Sequence, residues 1–94
     1  MNFYILGEFC RHFDLSVNVS YSDEFDIVLI ELTKDGDHID PAYKKYKKSI
    51  PMLMSKKIDT YDILRSFVYE MGLSKSRWEA FVKKTQEVNR NESV

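Results

Sequence analysis

The most concentrated chemistry in the chain is Tyr43-Lys44-Lys45-Tyr46-Lys47-Lys48, followed by Lys56 and Lys57. Lysines make sequence-independent phosphate contacts and tyrosines stack on unpaired bases, so this composition suits a nucleic-acid surface. It equally suits an edge strand guarded against strand addition, because lysine on a sheet edge resists pairing with another chain. A second cluster has the opposite sign: Asp23, Glu24, Asp26, Asp35, Asp37 and Asp40. Carboxylates gathered on turns can occupy a protein groove built for phosphate, although small soluble domains carry acidic turns for solubility alone.

Other site chemistry finds no support. Cys10 and His12 are two residues apart on a helical segment and point to different sides, and His38 lies in a distant turn, so no zinc set converges. Asp35-Gly36-Asp37 with Asp40 lacks the alternating ligands and closing glutamate of a calcium loop and reads as a hairpin turn. Neither histidine sits in a nucleophile motif, and glycines at 7, 36 and 72 build no phosphate loop. A non-enzymatic protein without metal or cofactor is the expectation.

The two clusters belong to a wider segregation. The 94 residues have a net charge of -1, yet residues 1–40 hold nine acids against two bases, net -7, and residues 41–94 twelve bases against six acids, net +6. With 44% hydrophobic and 31% charged residues, the composition is that of one folded domain, assigned to 1–88 with a polar tail at 89–94. A single cysteine forms no intramolecular disulfide and points to a reducing compartment, the cytoplasm. The longest apolar run, Ile27 to Ile30, is far short of the ~20 residues that cross a bilayer, and residues 2–14 do not read as a signal peptide.

Periodicity supplies the elements. Phe3, Leu6, Phe9, Cys10 and Phe13 recur at spacings of three and four and predict a helix over 2–13. Val17, Val19 and Tyr21 alternate with Ser16, Asn18 and Ser20 as on a half-buried strand. Residues 25–32 are apolar on both parities, which predicts a central strand covered on both faces. Residues 41–48 fit a short helix opened by Asp40-Pro41 or a third strand over 44–52. The strand is preferred, because Tyr46, Lys48, Ile50, Met52 and Met54 share one parity, four of them apolar. Asp59 caps a second helix with the stripe Leu64, Phe67, Val68 and Met71, ended by Gly72. Ser74 caps a third, with Trp78, Phe81, Val82 and Thr85 on one face. The prediction is an α+β fold in the order α-β-β-β-α-α, a three-stranded antiparallel sheet packed by helices.

The first helix, the hairpin from Val17 to Thr33, the Tyr/Lys-rich strand running into Ile50-Pro51-Met52, and Asp59-Thr60-Tyr61-Asp62-Ile63-Leu64-Arg65 together form a layout. It resembles that of small accessory proteins encoded in early or anti-defence regions of phages of Gram-positive bacteria, a group that includes anti-CRISPR inhibitors of RNA-guided nucleases. The resemblance implies a non-enzymatic module in the bacterial host cytoplasm that occludes a protein effector, such as an RNA-guided nuclease, through charged surfaces. The near-zero net charge departs from the strongly acidic members and confines any nucleic-acid mimicry to a local patch. Two other readings stand beside it: a nucleic-acid-binding accessory protein using the Tyr/Lys segment, and a homodimerising scaffold built on a strand edge and the Met52/Met54 pair.

Overall fold

A computed structural model describes residues 1–34 and 45–92, with side chains described as far as Gln86. The order is α1 (Phe3–His12), β1 (Leu15–Ser22), β2 (Ile27–Lys34), β3 (Tyr46–Pro51), a 3₁₀ turn (Met52–Met54), α2 (Thr60–Met71) and α3 (Lys75–Glu92). The strands form an antiparallel meander in the order β1-β2-β3, so the α+β arrangement expected from the sequence is the one observed. The turn predicted at 34–37, Asp40-Pro41 and His38 lie outside the described residues, save Lys34 at the end of β2.

Local chemistry explains the helix ends. The Asn2 carboxamide accepts from the amides of Tyr4 and Ile5 at 3.0 and 3.2 Å, and the Asp59 carboxylate accepts from the Tyr61 amide at 2.9 Å. Each satisfies donors that the first helical turn leaves without partners. Gly72 adopts φ +65°, the Leu73 amide reaches back to the Val68 carbonyl at 3.0 Å, and Ser74 Oγ accepts from the Arg77 amide to start α3. These bonds reverse the chain between α2 and α3, the left-handed residue closing the first and the serine opening the second.

The core lies between the helices and one side of the sheet. Leu15, Val28, Ile30, Leu32 and Ile50 from the strands meet Ile5, Leu6, Phe9, Leu64, Phe67, Met71, Trp78 and Phe81 from the helices. At its centre Phe9 packs edge-on to Trp78 and Phe81, with ring centroids 5.9 and 5.7 Å away. The polar groups that enter are paired: Tyr61 donates its hydroxyl to Thr85 Oγ1 at 2.7 Å, and Thr85 donates onward to the Phe81 carbonyl. The Arg77 guanidinium donates to the His12 carbonyl at the C-terminal end of α1 and lies over the Phe13 ring. That contact places a cation at the negative end of the helix dipole.

Several expectations are corrected. Phe3 is half exposed, and Ile5 takes its place in the buried stripe because it lies one turn before Phe9. The two faces of β2 are not buried alike: Val28, Ile30 and Leu32 are buried, while Ile27, Leu29, Glu31 and Thr33 on the other side are half-buried. The third strand stops at Pro51, since Pro51 pairs with Ile27, the first residue of β2, and no partner strand remains beyond it. Met52 and Met54 therefore enter a 3₁₀ turn instead of continuing the alternation.

Candidate interaction surfaces

Strand register decides where the charged segments point. Opposed residues share a face, so Val17, Val19 and Tyr21 fall on the helix side with Leu32, Ile30 and Val28, and so do Tyr46, Lys48 and Ile50. Lys45 and Lys47 fall on the open side. The Tyr/Lys segment is thus divided between two faces, with Tyr43 and Lys44 outside the described residues. Lys45 lies 3.7 Å from Glu31, whereas Lys48 makes a 2.8 Å ion pair with Glu70 and sits over the Phe67 ring. Tyr46 is half-buried against the core.

Of the acidic group, Asp23, Glu24 and Asp26 are described, all exposed in the turn between β1 and β2, while Asp35, Asp37 and Asp40 lie outside the described residues. Asp26 has φ +51° and accepts a 2.7 Å hydrogen bond from the Tyr21 hydroxyl. This bond, with desolvation and the carboxylate charge adding to it, raises the Tyr21 pKa above its ordinary 10.0, because each opposes a phenolate beside a carboxylate. The backbone of Asp26 also accepts from the Met52 amide at 2.9 Å, so the acidic turn is fastened to the 3₁₀ turn.

That fastening builds a surface the sequence does not announce. The N-terminal ammonium of Met1 bonds the Ser55 carbonyl, and the Asn2 amide donates to Thr60 Oγ1 at 2.7 Å, bringing the start of α1 to the same end of the molecule. Phe3, Tyr4, Tyr21, Phe25, Met52, Leu53 and Met54, all exposed, lie on the segments these bonds join, and they are seven of the ten exposed large hydrophobics among the described residues. Phe25 and Leu53 stand out furthest, at 69% and 85% exposure. Lys56 and Lys57 follow directly, so acids and bases that are far apart in sequence are brought to the same end of the molecule. Phe25 in its acidic turn and the apolar triplet after Pro51 were the available signals.

A separate cleft of about 680 Å³ opens between α2 and α3, lined by Val68, Leu73 and Trp78 with Arg65, Lys75 and Glu79 at its rim. Among the described residues, no group of three or more His, Cys, Asp or Glu side chains could hold a metal ion, and no helix is long and apolar enough to cross a membrane. Comparison with protein-family models, curated proteins and solved structures found no match to this chain.

Proposed function

We propose that the chain is a non-enzymatic protein-binding module whose contact surface is the apolar pole around Phe25 and Leu53, acting by stoichiometric occlusion of its partner. One observation supports this reading: most of the exposed large side chains gather at a single pole, tied together by the Met52–Asp26 and Asn2–Thr60 bonds. Apolar groups scattered singly over a surface are ordinary, whereas aromatic and methionine side chains collected in one patch are characteristic of protein interfaces. The flanking Asp23, Glu24, Lys56 and Lys57 supply the polar rim. The layout resemblance supports the partner class, a defence nuclease in the bacterial cytoplasm.

The test is DNA cleavage by a purified RNA-guided nuclease, titrated with the chain. Inhibition should reach its limit at a fixed molar ratio. Leu53→Asp should weaken it at least tenfold without changing the melting temperature, because exposed substitutions shift stability by under about 0.5 kcal/mol. Charge reversal at Asp23 and Glu24 tests the rim; Asp26 is left alone because it holds Tyr21. Full inhibition by both variants removes the pole from the mechanism, and no inhibition by the wild type removes the partner class. The nucleic-acid reading has less support, since Lys45 and Lys48 face carboxylates on opposite sides of the sheet. A salt-dependent oligonucleotide titration checks it directly.

A further inference from the structure

The cleft between α2 and α3 is built from residues that the pole does not use. Its volume of about 680 Å³ lies within the range of small-molecule sites, roughly 300–1,000 Å³. On α2, Arg65, Val68, Tyr69 and Gly72 fall three and four residues apart and share one side of the helix, and on α3 Lys75, Trp78 and Glu79 do the same. Leu73, tied by its amide to the Val68 carbonyl, joins Val68 and Trp78 in an apolar lining. The charged groups of the lining are two cations, Arg65 and Lys75, and one carboxylate, Glu79. Arg65 is held by Asp62 at 2.8 Å, whereas among the described residues no carboxylate pairs with Lys75. Lys75 is also the first residue of α3, where the positive end of the helix dipole adds to its charge.

We infer that this cleft binds a small apolar carboxylic acid, its carboxylate at Lys75 and its hydrocarbon body over Val68, Leu73 and Trp78. Charge selects the head group. A carboxylate answers the lysine and the dipole together, an alcohol leaves the charge unmatched, and an ammonium meets two like charges in the lining. The lining selects the body, because Val68, Leu73 and Trp78 offer hydrocarbon and ring surface that gains by leaving water. Length selects a small molecule over a docked helix. The lining follows α3 only from Lys75 to Glu79, about 6 Å at the helical rise of about 1.5 Å per residue. A helix laid in a groove takes anchors at i, i+4 and i+7, which need about two turns of contact. The inference is independent of the pole, since the cleft can fill while Phe25 and Leu53 stay exposed.

Tryptophan emission of the full chain is the readout, because Trp78 lines the cleft and is the only tryptophan. Octanoate, added below its micellar concentration, should shift the emission along a saturable curve. Acetate, which has the head group without the body, should leave it unchanged. Octylammonium, the same body with the opposite charge, should bind about tenfold more weakly or worse, the loss expected for one hydrogen bond to a charged group. Lys75→Glu should weaken octanoate by a similar factor, about tenfold, while Lys75→Arg binds as the wild type does. The glutamate variant should fold normally, since an acid suits the first turn of a helix. Leu53→Asp should leave the octanoate curve in place. An emission that octanoate does not move, octylammonium binding as tightly as octanoate, undiminished binding by Lys75→Glu, or loss of the shift in Leu53→Asp would each overturn the proposal.

Discussion

β3 closes its side of the sheet with Lys47 and Pro51 and is tied to α2 by the Lys48–Glu70 ion pair, whereas β1 on the opposite side has no charge along eight residues. Both strands are edges of the same meander, and both alternate. They differ in what stands over their helix-side residues. Ile50 is 4% exposed and Val19 41% exposed, although each faces the same side of β2. Binary patterning alone cannot produce that difference; it comes from where the helical layer ends. An edge guarded by charge and packed from above is protected against strand addition in two ways, and an edge without charge whose apolar groups are partly exposed has neither protection.

Replacing Ile50 by Ala should break the packed side most severely, costing about 2–5 kcal/mol in urea unfolding, since the vacated volume lies among buried neighbours. Lys48→Ala should cost about 1 kcal/mol or less, through the lost ion pair and the lost cover over Phe67, and half or more of that loss should persist at high salt if the stem matters more than the charge. Val19→Ala should cost well under about 1 kcal/mol, because its side chain is already partly in water. A Val19→Ala penalty equal to that of Ile50→Ala would mean the two edges are packed alike and would erase the contrast.

The smallest effect is expected at the end of β1. The Tyr21 phenol is raised by its bond to Asp26, so whatever stability this bond contributes is present below the ordinary tyrosine pKa and is lost as pH rises through the elevated value. Ultraviolet titration should show late ionisation of Tyr21. Asp26→Gly, which removes the acceptor and suits the positive φ, should return it to the ordinary range.

The sequence made the element order legible because its signals are local: Asp59, Gly72 and Ser74 fix the helix ends within a few residues of themselves. Alternation in β1 told which side chains share a face but not whether anything covers that face, so Val17, Val19 and Tyr21 were expected to be half-buried. The apolar residues of β2 on both parities suggested two equally covered faces, whereas one is buried and the other half-buried. The charge segregation was legible as a count and misleading as a map, because neighbouring lysines on a strand point to opposite sides and because the Met52–Asp26 bond brings the acidic turn to the basic half of the chain. The apolar pole depends on contacts between residues 26 and 52 and between 2 and 60, which no local pattern encodes.

Trp78 is the only tryptophan, and it sits beside Phe9 and Phe81 while also lining the cleft between α2 and α3. The chain therefore carries one optical reporter, placed within the helical layer and outside both the pole and the β1 edge. Partner capture at the pole should leave its emission unchanged, whereas filling the cleft or loosening the helices should shift it. A silent tryptophan during binding would mark an event confined to the surface, and a responsive one would show that the helices have moved.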